Sequence, residues 1–182
     1  MLYLTVIAIL FFLASQLFTV AVGIDFKQSG AKAILFVFSL AVGQAFLFWL
    51  GYSIGSLFMH LMESFKSFVV FTAFFLIGIR MLMESFQVWK GLRTYSLDSI
   101  RFSVFASLAQ GINAFLVGLL FVFLQFEKNW LSLVLIAFAF FFSLAGAVVK
   151  STKNSITFAA LMFVLGGVVM IFSSIYIGFF AL

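Results

Sequence analysis

Charge is scarce in this chain. Of 182 residues, only 8% are Asp, Glu, Lys or Arg, where a soluble domain carries about 25%. Cysteine is absent and there is one histidine. The first absence excludes a disulfide framework and any thiolate metal site. The second leaves His60 without a companion in metal-type spacing, so it reads as a solvated residue of a loop beside Glu63 and Lys66. No H-E-x-x-H, no G-x-S-x-G and no phosphate-cradling glycine loop occurs, and no span holds a nucleophile beside a base. Enzymatic chemistry is therefore not expected. Nor is there room for a sizeable soluble domain.

What remains is apolar. The chain is 66% hydrophobic, with mean hydropathy +1.33, which places it among integral membrane proteins. Six apolar runs lie at about 2–24, 33–58, 68–88, 102–126, 131–149 and 156–182. Each approaches the ~20 residues that a helix needs to cross a bilayer. The alternation of a membrane barrel is missing. Residues 1–24 lack a basic leader and a small-residue cleavage pattern, so they are expected to stay as a span. Tyr3, Trp89, Trp130 and Tyr176 sit near run ends and suit an interfacial belt. The 30 Phe read as lipid-facing surface or core filler.

The net charge of +5 is spread singly or in pairs between the runs, which argues for topology rather than nucleic acid. Lys27, Lys32, Lys90, Arg93, Arg101, Lys150 and Lys153 fall in connections 1–2, 3–4 and 5–6, whereas only Lys66 and Lys128 fall in the other two. The positive-inside rule puts the first set in the cytoplasm and both termini outside. The connections are short, so successive helices are expected to be antiparallel. The longest, about 89–101, separates halves of about 1–89 and 101–182 within a single transmembrane domain.

These halves carry a weak repeat. Gln16-Leu17-Phe18 matches Asn113-Ala114-Phe115, and Phe75-Leu76-Ile77-Gly78 matches Phe163-Val164-Leu165-Gly166. Three spans per half would invert the second relative to the first. Inverted repeats are common in secondary transporters, whose sites lie near the midplane where the halves meet. The expected fold class is thus an all-α membrane protein of six transmembrane helices in two inverted three-helix repeats.

The polar residues within the runs form stripes. Gln16, Thr19 and Gly23 share a face of the first run. Gln44, Gly51 and Gly55 share one in the second, and Ser103, Ser107, Gln110 and Asn113 one in the fourth. Such faces turn to the bundle interior. Three amides on three helices exceed what packing needs, so Gln16, Thr19, Gln44, Gln110 and Asn113 are expected to line a substrate or ion path. Gly23, Gly51, Gly55, Gly78 and Gly118 are expected to let helices approach closely. Arg80 and Glu84, an i, i+4 pair in the third run, suit an anchor or gate at its cytoplasmic end, with Arg80 snorkelling and Glu84 among the headgroups.

The order of these features resembles the MntP-type manganese efflux pumps, a six-span branch of the LysE exporter superfamily, from about Thr5 to Ile177. Gly78-Ile79-Arg80-Met81-Leu82-Met83-Glu84-Ser85-Phe86 is similar to that family's Gly-Arg-Met-x-x-Glu-x-Phe signature. Gly51 and Gly55, and Phe123-Leu124-Gln125, fit as well. The resemblance implies an inner-membrane efflux pump with Mn²⁺ as transported ion and no resident cofactor. It also implies carboxylates at the positions of Gln16, Gln44 and Asn113, where this chain has three amides. If manganese binds, those three are its expected ligands. An exporter of a neutral or zwitterionic solute, or a transport-inactive membrane partner protein, are the alternatives.

Overall fold

The computed structural model describes the backbone of residues 1–22, 26–90 and 100–182, and the side chains of 1–22, 30, 33–90 and 111–182. Everything described in regular structure is helical, and no strand occurs among these residues. The order is α1 (Leu2–Ala21), α2 (Phe26–Met62), α3 (Lys66–Trp89), α4 (Ile100–Phe121), α5 (Lys128–Val148) and α6 (Lys153–Tyr176). Short 3-10 turns follow α2 and α4, and a π turn at Ile177–Ala181 extends α6. A bilayer interior offers no water to backbone N–H and C=O groups, and helices satisfy them within one segment. The long apolar runs leave the chain that one solution.

Among the described residues, four helical stretches are long and apolar enough to cross a membrane: Leu2–Ala21, Ala33–Trp89, Lys128–Val148 and Lys153–Ala181. The second contains α2 and α3, separated by the single 3-10 turn Glu63–Phe65. A shorter apolar stretch, Gly111–Leu124, is the described part of α4 and its closing turn. The connection 91–99 lies outside the described residues.

Helix ends have local causes. The 37-residue α2 is broken at Gly30, with φ 41° and ψ −116°. The chain has no proline, and glycine is the residue that reaches such a conformation without strain. α4 ends through Gln125, at φ 57°. α6 starts on a reciprocal capping box: the Ser155 amide donates to Thr152 Oγ1 at 3.3 Å, and the Thr152 amide donates to Ser155 Oγ at 2.9 Å. The sequence placed His60 in a loop. It sits instead, exposed, in the last turn of α2, because the helix runs on to Met62.

Helices that follow one another in sequence are not the principal packing partners. α1 is wedged between α5 and α6, α2 packs on α4 and α5, and α3 packs on α6. Glycines set the closest approaches. A Cβ on Gly51 would collide with the Phe115 carbonyl oxygen, one on Gly118 with that of Phe48, and one on Gly55 would lie 2.6 Å from that of Leu119. Leu47 meets Gly111, Gly51 meets Phe115 and Gly55 meets Leu119 in the same order along both helices, so α2 and α4 run parallel, with Phe48 and Gly118 meeting where they cross. α1 and α5 are parallel too: Phe11 stacks edge-on against Phe138 and Phe142, and Gly146 abuts the Phe18 carbonyl and Ala21. Gly78 and Gly167 face each other, each Cβ position 2.8 Å from the other's carbonyl oxygen, and Gly178 abuts Phe71, so α3 and α6 are antiparallel. Small residues let backbones approach where lipid supplies no hydrophobic drive for association.

The Phe residues divide by helix face. Phe48, Phe74, Phe121 and Phe163 are fully buried, while Phe86, Phe141, Phe172 and Phe179 are exposed on an apolar exterior. One end of the bundle is tied by polar contacts. Tyr52 Oη donates to the Phe126 carbonyl at 2.8 Å. Lys128 Nζ donates to Ser53 Oγ at 3.2 Å and lies 3.9 Å from the centre of the Trp49 ring. Tyr3 joins the same end, its ring 4.8 Å from Phe126 and 6.4 Å from Trp130.

Gly51→Leu is expected to lower stability by about 1–3 kcal/mol, the usual cost of overpacking, because the added side chain meets backbone rather than a movable side chain. Thermal unfolding in detergent measures this. Leu57→Ala, on the exposed face of the same helix, should leave the midpoint unchanged.

Candidate functional site

Three amides from three helices converge on one stretch of α1. Gln16 and Asn113 are 0% exposed and Gln44 1%. Asn113 Nδ2 donates to Gln16 Oε1 at 3.0 Å, joining α4 to α1 across 97 residues of sequence. Gln44 Nε2 donates to the main-chain carbonyl of Leu13 at 2.9 Å. Leu13 lies one turn before Gln16, and a helical carbonyl points toward the C-terminus, so Gln44 reaches α1 at nearly the level of Gln16. Thr19, 6% exposed, follows one turn later.

The bonding is incomplete. Gln16 Nε2, Asn113 Oδ1, Gln44 Oε1 and Thr19 Oγ1 are buried and have no hydrogen-bond partner among the described residues. A buried unsatisfied polar atom costs about 1–3 kcal/mol, more than a helix needs to spend on packing. An amide pair joined by one N–H···O bond always leaves an NH₂ group and a carbonyl oxygen available, whichever way the two amides are turned. The cluster therefore offers a ligand both a donor and several acceptors. It carries no charge, and no group of three His, Cys, Asp or Glu that could hold a metal occurs among the described residues.

Other candidate residues fall elsewhere. Gly51, Gly55 and Gly118 hold α2 against α4, and Gly78 holds α3 against α6. Gly23 and the side chains of Ser103, Ser107 and Gln110 lie outside the described residues. Arg80 Nε donates to Glu84 Oε1 at 3.0 Å, with side-chain exposures of 38% and 7%. Arg80 is partly exposed, as a snorkelling residue would be. Glu84 is buried within the protein rather than exposed, and it lies on one stripe with Ile77, Met81 and Val88, all buried. That i, i+4, i+7, i+11 spacing was readable in the sequence and outweighs the preference of a carboxylate for the surface. The pair lies on α3, whose main partner is α6 rather than α1.

Several buried serines stand outside the sequence stripes considered above, and one of them has a buried hydroxyl without a partner among the described residues. Ser143, on α5, is 0% exposed, and its Oγ has no partner among the described residues. Its signal was the spacing to Gly146, three residues on.

Comparison with known proteins gives one match. The family model described as "Putative manganese efflux pump" (Mntp) matches residues 25–178. The match includes Gln44, Arg80, Glu84 and Asn113, and begins after α1, so Gln16 and Thr19 fall before it. No curated protein and no solved structure matches the chain.

A double-mutant cycle with Gln16→Leu and Asn113→Leu is expected to give a coupling of about 0.6–1.7 kcal/mol, the range for hydrogen bonds between membrane helices. Unfolding measurements in detergent supply the four stabilities. Purely additive effects would show that the bond contributes nothing.

Proposed function

Because the chain belongs to the manganese efflux pump family, we propose that it is an inner-membrane exporter of a small cation, manganese, through a site at Gln16, Gln44 and Asn113. The family and the apolar helices make it a membrane-embedded transporter. The observation that carries the site is the fully buried bond from Asn113 to Gln16, flanked by unpartnered oxygens of Gln44, Asn113 and Thr19.

We read the architecture as six spans in one domain, in two inverted halves of about 1–89 and 101–182. The packing supports this. Phe18 and Phe115 hold the same place in the two matching stretches, and each has its carbonyl against a glycine: Gly146 on α5 for the first, Gly51 on α2 for the second. The pairing of Gly78 with Gly167 supplies the contact that would lie on the axis relating the halves.

Mn²⁺ is a hard cation that prefers oxygen ligands. Carbonyl oxygens of Gln16, Gln44 and Asn113 and the Thr19 hydroxyl are of that type. For Gln16 and Asn113 both to turn oxygen toward an ion, the bond between them must open. Ion binding would therefore loosen α1 from α4, which is the separation an alternating-access cycle requires. The buried amides, at most 1% exposed, correspond to an occluded state. Amides carry no proton to release, so a metal-for-proton exchange would need an acid from elsewhere. Arg80 and Glu84 would set the cytoplasmic end of α3.

A second reading has its own support. The unpartnered NH₂ of Gln16 beside unpartnered acceptors suits a neutral or zwitterionic solute, which can satisfy both kinds of group without opening the amide pair. Manganese flux in proteoliposomes separates the two. Wild type is expected to carry Mn²⁺ and Asn113→Ala to lose at least tenfold. Flux appearing only in Gln16→Asp with Asn113→Asp would assign the natural site to a different solute.

Orientation has a direct test, since the chain has no native cysteine. With both termini outside, an impermeant maleimide should label Lys66→Cys in intact cells and Lys90→Cys only after permeabilisation. Labelling of both from one side would overturn this topology.

A further inference from the structure

Ser143 is a buried polar group that the proposed path does not use. A hydroxyl on a membrane helix ordinarily donates to a carbonyl one turn earlier, as Ser15 does to Phe12 at 2.8 Å and Ser132 to Lys128 at 2.9 Å in this protein. Ser143 makes no such bond among the described residues, although it is completely buried. Its place in the bundle is defined. α5 packs on α1 and α2, the helices that carry Gln16, Thr19 and Gln44. α5 runs parallel to α1, and Gly146 abuts Phe18 and Ala21. One turn earlier on α5 therefore corresponds to the level of Gln16 on α1. The cluster at that level already holds four polar atoms without a partner among the described residues.

We infer that Ser143 is a further member of the transport site, a ligand-facing hydroxyl from a fourth helix that helps to set which solute is accepted. The inference rests on the transporter reading above. A hydroxyl both donates and accepts, so it adds an oxygen ligand for a cation and a donor for an anionic or carbonyl oxygen. The open hydrogen-bonding capacity gives a serine a use at a position where alanine would fill nearly the same volume at no desolvation cost.

Ser143→Ala distinguishes this role from a structural one. Removing an unsatisfied buried hydroxyl should leave thermal stability in detergent unchanged or higher. A ligand-facing hydroxyl should instead show in transport, as a rise of at least fivefold in the KM for Mn²⁺ in proteoliposomes. A joint loss of stability and flux, or unaltered KM, overturns the proposal. A second measurement does not depend on flux. In the otherwise cysteine-free chain, Ser143→Cys should react with a small cationic methanethiosulfonate as the site opens, and Mn²⁺ should slow that reaction. Ala159→Cys, buried on α6, should stay unmodified. If wild type carries no Mn²⁺, the export reading falls, and the labelling alone judges Ser143: reaction at the Ala159→Cys rate overturns its membership of the site, and faster reaction upholds it.

Discussion

A polar side chain inside a bilayer has only the protein to bond with, and the bond from Asn113 to Gln16 is where this chain meets that constraint most directly. It spans 97 residues of sequence at 3.0 Å. It fixes the azimuth of α4 relative to α1, because a rotation of either helix by one residue position would carry one amide out of reach of the other. Gln44 adds a third helix by bonding to the α1 backbone at Leu13. α1 is thus the common partner of every amide in the cluster, and it is held between α5 and α6.

That meeting depends on residues with no polar groups of their own. α2 and α4 come into backbone contact at Gly51, Gly55 and Gly118, and α1 and α5 at Gly146. Without these approaches α2 would stand off from α4, and α1 from α5, by a side chain's width, and the bundle that holds the amides together would be looser. Dispersion between closely packed backbones stabilises the bundle, since lipid tails are as apolar as the helix surfaces. The glycines and the amides are parts of one arrangement: the first set the distance, the second use it.

The neutrality of the cluster has consequences for mechanism. A dication in a dry site without carboxylates loses hydration that no negative charge offsets. In the cation reading proposed above, turning both amides fully toward an ion would break the bond inside the pair, and binding would then be coupled to separation of α1 from α4. A solute with its own donors and acceptors would leave the pair intact. At the proposed site the choice between these depends on hydrogen-bond capacity, and it would fall to the atoms of Gln16, Gln44, Asn113, Thr19 and Ser143 that have no partner among the described residues.

Much of this was legible before any coordinates. Composition and run length determined a helical membrane protein, because a helix satisfies its own backbone in lipid and the runs lack the alternation that a closed barrel needs. Periodicity determined which face of each helix turns inward, placing Gln16 and Thr19 on one interior stripe and Gln44 on another; Glu84 also lay on such a stripe, although its charge argued for the surface. Periodicity is blind to partners. It assigns an inward face to each helix separately but says nothing about which helix that face meets. Only the tertiary structure decided that Asn113 bonds Gln16, that Gln44 reaches a main-chain carbonyl, that Gly78 pairs with Gly167, and that Ser143 is buried without a bond among the described residues. Those outcomes depend on the relative rotation and register of helices far apart in sequence, which packing fixes and local pattern does not encode.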